Sequence, residues 1–140
     1  MTKYETLFLC KPDLPEEAVQ AILNRLGDQV QGNAGKLAAV DVWGHRRLGY
    51  AVRYRGAQYN RGFYVLLTYL GTGATVRELE RTCGLLEDVM RYQSVKLEDG
   101  VDPATITEVA HTRRSDEVAA PEERPEEPLE APGELIPEKT

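Results

Sequence analysis

Five arginines, Arg46, Arg47, Arg53, Arg55 and Arg61, alternate with Tyr50, Tyr54 and Tyr59 in the stretch WGHRRLGYAVRYRGAQYNRGF, residues 43–63. A guanidinium fork matches phosphate oxygens two at a time and also stacks on bases. Aromatic faces beside it stack on unpaired bases or brace the arginine stems. Composition alone suits a solvated β-hairpin with ordinary surface arginines equally well. What separates the two readings is the missing counter-charge. No Asp or Glu occurs between Asp41 and Glu78, whereas an ordinary surface mixes both signs. The stretch is therefore read as RNA-binding, and Lys3 and Arg91 extend the basic surface at strand ends or on an open sheet face.

Other chemistry is thin. His45 and His111 are the only histidines, and neither stands in a metal-ligand spacing or a triad motif. His45, among arginines, reads as an RNA-facing or surface residue rather than a base. Cys10 and Cys83 have no CxxC companion and sit in apolar patterns, which suits buried thiols of a reducing, cytosolic compartment. The glycines at 71 and 73 are not followed by the Gly-Lys-Ser/Thr element of a phosphate loop. No enzyme, cofactor, metal site or small-molecule substrate is expected.

The elements that must position the arginines follow from periodicity. Lys3–Cys10 reads as a buried strand closed by Lys11-Pro12-Asp13. Asp13 then reads as an N-cap, with Pro15 just inside the helix and Glu16 completing a capping-box pattern. Val19, Ile22, Leu23, Leu26 and Val30 form one apolar stripe, and Gly32 and Gly35 bracket the helix stop. A second strand runs from Lys36 to about Val52 with an irregularity near Trp43-Gly44. Residues 56–62 read as a turn, and Phe63–Leu70 as a third strand. Val76, Leu79, Cys83 and Leu86 mark a second helix, and Val89–Leu97 a fourth strand of poorer pattern.

The order β-α-β-β-α-β has a known packing solution, the ferredoxin-like split βαβ fold of the α+β class. Right-handed crossovers place both helices on one face of a four-stranded antiparallel sheet, with strands one and three in the middle. The other face is open and normally turns polar. Here Leu7, Leu9, Tyr64 and Leu66 would form an apolar patch on it if Phe8 and Val65 face the helices, the signature of a protein-partner surface. A register slip of one residue, or cover by loops or tail, would remove that patch.

Length bounds the chain to one domain, or one domain with an appendage. No apolar run approaches the ~18 residues that span a membrane, and Pro12 and Asp13 interrupt the N-terminal apolar run before it reads as a signal peptide. The net charge of −6 is unevenly placed: residues 1–100 hold 13 basic and 12 acidic side chains, residues 101–140 hold 4 and 11. Residues 1–100 are the expected folded domain. Residues 101–140, rich in Glu and Pro, are expected to be an acidic tail, largely disordered in isolation.

Several separated segments carry a resemblance. Tyr4-Glu5 opens the first strand, Lys11-Pro12-Asp13 closes it, and Gly35-Lys36 enters the second. Trp43-Gly44-x-Arg46-Arg47-Leu48-x-Tyr50 comes next, then Tyr64-Val65-Leu66 in the third. Over residues 3–97 the sequence resembles the bacterial small-subunit ribosomal protein S six family. Ala51 departs from it, standing where the family usually follows its tyrosine with proline. The resemblance implies a ferredoxin-like, non-catalytic constituent of the small ribosomal subunit, cytoplasmic and ribosome-associated. It implies binding to the central domain of 16S ribosomal RNA as a heterodimer with small ribosomal protein S eighteen. By position in the motif, Arg46 and Arg47 are the leading RNA contacts.

Two other readings of the fold lack their residues. An acylphosphatase-like site needs a phosphate cradle after strand one, where Cys10-Lys11-Pro12-Asp13-Leu14 stands. A free-standing RNA-recognition module needs an Arg/Lys-Gly-Phe pattern that strand three does not have.

Overall fold

The computed structural model describes residues 1–115. Strand β1 (Thr2–Cys10) is followed by helix α1 (Glu16–Gly32), strands β2 (Lys36–Tyr54) and β3 (Ala57–Gly71), helix α2 (Gly73–Leu85) and strand β4 (Val89–Glu98). A short 3-10 turn (Pro103–Thr105) leads to strand β5 (Ala110–Arg113). The sheet order is β4-β1-β3-β2-β5, antiparallel except for the parallel β2–β5 pair. The first four strands take the expected ferredoxin-like order, with β1 and β3 central.

The apolar stripe of α1 packs as its spacing requires. Val19, Ile22, Leu26 and Val30 are buried and Leu23 lies partly buried against them. They meet Phe8, Val65, Leu67 and Tyr69 from the sheet and Leu79 from α2. Within this core the Tyr69 hydroxyl meets Thr6 Oγ1 at 2.9 Å, and Thr6 meets Ser94 Oγ at 2.8 Å. That chain satisfies the buried hydroxyls across three strands.

Three local expectations need correction. Helix α1 starts at Glu16 with Pro15 as its N-cap, and no side chain caps it. Leu14 precedes a proline and is disfavoured from helical conformation, so Asp13 stands two residues too early to cap. At the other end, the left-handed residue is Ala34 (φ 63) rather than a glycine. Gly35 is required by space instead: a Cβ there would lie 2.7 Å from the Val30 carbonyl oxygen and 2.9 Å from that of Leu70. The turn expected over 56–62 is only Arg55 and Gly56, both at positive φ (51 and 81), the geometry of a tight two-residue hairpin.

The segment beyond residue 100 also differs from expectation. Residues 101–115 dock on this chain's own sheet. Met1 and Val101 exchange backbone hydrogen bonds of 3.0 and 2.7 Å, and Lys36 Nζ donates to the Pro103 carbonyl at 2.8 Å. Strand β5 then fills the free edge of β2, pairing Ala39 with Ala110 through Val42 with Arg113. Residues 116–140 lie outside the described residues.

Candidate nucleic-acid and protein interface

Strands β2 and β3 continue past the rest of the sheet as a two-stranded arm. Gly44 (φ 83) marks the expected irregularity, where the register shifts between Val42 and Gly44. A second shift comes after Arg47, because residues 48–51 face a single residue of β3. The bulge turns Tyr50 outward, 75 % exposed, while Val52 returns to a buried position. At the tip, Tyr54 Oη donates to the Glu87 carbonyl at 2.9 Å and ties the arm to the loop before β4.

The five arginines all lie on this arm. Arg47 stands directly opposite Arg61, and Arg46 opposite Gly62. Arg46 Nη1 donates to the backbone carbonyls of His45 (2.8 Å) and Ser115 (2.9 Å), so part of its guanidinium is engaged by the chain itself. Arg53 is exposed opposite Gln58. Arg55, in the turn, lies over the Tyr54 ring at 5.4 Å and donates from Nε to its hydroxyl at 3.1 Å.

His45, read from the sequence as an RNA-facing or surface residue, is half-buried. Its Nε2 meets the Pro12 carbonyl at 2.8 Å and its ring packs edge-on against Phe63 at 5.0 Å. It braces the base of the arm. Arg91 is exposed on β4 opposite Leu9, at the arm end of the sheet. Lys3 pairs with Leu70 at the far end of β1, about 20 Å from Leu9 along the strand, and the fold does not bring it to the arginines.

The apolar residues meet as expected on the face away from the helices. Leu7 is opposite Leu66, and Leu9 opposite Tyr64. Leu9, however, is only 3 % exposed. A Cβ on Gly62 would collide with Leu9 Cδ1, so the leucine occupies the space glycine leaves. It supports the patch from beneath. Two residues that periodicity did not mark widen it at the β4 edge: Val95 and Leu97, 45 % and 46 % exposed. On the other side Trp43 packs at a tilt against Tyr64 (centroids 5.8 Å apart, planes at 48°), with the Arg114 guanidinium 4.9 Å over the indole.

Asp41 joins these parts. Its carboxylate accepts from Thr112 Oγ1 at 2.8 Å, Arg114 Nη2 at 2.9 Å and Trp43 Nε1 at 3.1 Å. Desolvation opposes the charge, but the hydrogen bonds from Thr112 and Trp43 and the Arg114 charge outweigh it and hold Asp41 below the usual carboxylate value. Elsewhere, burial pushes the thiols of Cys10 and Cys83 up to about 12, which keeps both protonated and unreactive at neutral pH. Among the described residues, no three His, Cys, Asp or Glu side chains gather as a metal site, and no helix is long and apolar enough to cross a membrane.

The fold is that of a ferredoxin-like domain, here carrying a basic arm. The family model described as Ribosomal protein S6 matches residues 3–96. The small ribosomal subunit protein bS6 of Syntrophobacter fumaroxidans is 41 % identical over 103 residues, 74 % of this chain and 67 % of that one. Its counterpart in Geotalea daltonii is 36 % identical over 126 residues, 90 % and 95 % of the two chains. The crystal structure of 30S ribosomal protein S6 from Thermotoga maritima shares the fold, with TM-score 0.61 and 24 % identity over 69 % of this chain and 87 % of that one. The chain belongs to the ribosomal protein S6 family. It is accordingly a structural, non-enzymatic protein of the small ribosomal subunit, ribosome-associated in the bacterial cytoplasm.

Proposed function

We propose that this chain binds the central domain of 16S ribosomal RNA together with ribosomal protein S eighteen, using two surfaces of one sheet. The observation that carries the reading is the directly opposed pair Arg47 and Arg61 on an arm that starts where the apolar face ends. Arg53, opposite Gln58, adds a cation on the other face of the arm and Arg55 one in the turn, and the outward Tyr50 offers a stacking face to an unpaired base. Arg46 contributes with what its backbone contacts leave available, and Arg91 borders the open face. Lys3 is assigned to a separate contact at the far end of β1.

Leu7, Leu66 and Tyr64, underlaid by Leu9, are the surface assigned to S eighteen. Cross-strand leucines and an aromatic in contact would bury well against a partner. Phosphate contacts alone give salt-sensitive binding with little selectivity, so the second surface supplies orientation. The test is titration of a 16S central-domain fragment with and without S eighteen. Binding that tightens sharply with the partner is expected. Equal affinity in both conditions would remove the apolar face from the account.

A further inference from the structure

Residue 115 lies at the arginine arm, and the sequence beyond it is strongly acidic. Strand β5 runs parallel to β2, so it travels toward His45 and Arg46 rather than away from them. Arg114 N donates to the Val42 carbonyl at 2.8 Å, and the Ser115 carbonyl is held by Arg46 Nη1 at 2.9 Å. Three polar contacts fix this course: Thr112 and Arg114 on Asp41, and Arg113 on Glu16 at 2.9 Å. The next residue is Asp116. Residues 116–140 carry nine Asp and Glu against Arg124 and Lys139.

We propose that the acidic segment 116–140 lies against the arginine arm and competes there with nucleic acid. Three features of this chain support its occupancy. The arm carries no acid of its own, since none occurs between Asp41 and Glu78. The segment has the opposite sign, and the residue before it, Ser115, is hydrogen-bonded to the first arginine. Its contour is not limiting, because twenty-five residues extend at most about 80 Å while the arm from Arg46 to the turn spans about 30 Å. A segment tethered at its site meets it at an effective concentration in the millimolar range, enough for weak carboxylate–guanidinium pairs to form repeatedly.

Competition of this kind sharpens selection. A loosely held polyanion must displace the tail to reach the arginines, and the phosphate contacts it gains are offset by those lost. A site that also engages the apolar face overcomes that cost through contacts the tail does not make. The competition, though not the docking, rests on the RNA-binding role proposed above.

The test compares the full chain with a tail-neutral variant, in which Asp116→Asn and all eight glutamates from Glu117 to Glu138 become Gln. The first readout needs no RNA: the side-chain Nε–H resonances of Arg53 and Arg55, at low and high salt. Docking moves these signals between the two proteins at low salt and lets them converge at high salt. Spectra that coincide at low salt overturn the docking. The second readout is affinity for a uridine oligonucleotide. The tail-neutral variant is expected to bind roughly three- to tenfold tighter at low salt, with the gap closing as salt rises. Equal affinities overturn the competition while leaving RNA binding in place, and no binding by either protein overturns the competition and the RNA-binding role together.

Discussion

Arg47 of β2 faces Arg61 of β3 directly across the ladder. Like charges in opposed positions cost stability in an antiparallel pair. An anion shared by the two guanidinium groups converts that repulsion into attraction. The arrangement suits a surface made for phosphate better than one made for stability. Replacing Arg61 with alanine should weaken RNA binding while thermal stability changes by less than about 1 kcal/mol. A calorimetric melt showing a loss above about 1 kcal/mol would mean that the pair has a structural role.

The open face separates folding from partner binding. Leu7 and Leu66 are partly exposed and opposite each other, so Leu7→Asp with Leu66→Asp should fold with modest loss. The same double variant should lose S eighteen. Co-purification of the variant with S eighteen at the level of the parent chain would show that the partner sits elsewhere.

Docking of β5 should weaken in acid. Asp41 titrates below its ordinary 3.8 because Thr112, Trp43 and Arg114 favour the carboxylate over its desolvation. A depressed folded pKa means that this contribution is complete above the ordinary value and fades as pH falls through the lower, folded one. Protection of the amides of residues 110–113, relative to their intrinsic exchange at the same pH, should fall below about pH 4, and Asp41→Asn should lower it at neutral pH. Exchange in β5 that ignores both changes would assign its seating to backbone bonds alone.

Two buried positions set the stability of the scaffold. Gly35→Ala places a methyl against two backbone carbonyls and at positions of this kind costs about 2–3 kcal/mol or more. Tyr69→Phe removes one hydroxyl from the chain through Thr6 and Ser94 and should cost about 1 kcal/mol, since Thr6 keeps Ser94. Denaturant midpoints measure both. A glycine variant as stable as the parent would show that the α1–β2 connection moves freely.

The fold was legible where burial drives it. Val19, Ile22, Leu26 and Val30 fix α1, and the alternation of Phe63, Val65, Leu67 and Tyr69 fixes the helix-facing side of β3. The outer half of the arm reads as a turn in the sequence because Gln58, Asn60 and Arg61 lack an apolar alternation, and an arm outside the core has none to show. Strand β5 was hidden for a related reason. All of its residues are exposed, held by backbone pairing and by Asp41, which no hydrophobic period records. The acid-free arginine stretch was plain in the sequence, but the removal of His45 and Lys3 from it is tertiary. His45 turns to Pro12 and Phe63, and Lys3 lies at the wrong end of β1.

The most direct measurement of the central claim is the salt dependence of RNA binding by the Arg47→Ala, Arg61→Ala double variant, made with S eighteen present. Each phosphate contact contributes about 0.7 to 0.9 to the slope of log affinity against log salt. If the opposed pair clamps one shared phosphate, the slope should flatten by about 0.7 to 0.9 and affinity should fall at every low-salt point. A variant that keeps the parent's slope and affinity would contradict the arm as the RNA-contacting surface.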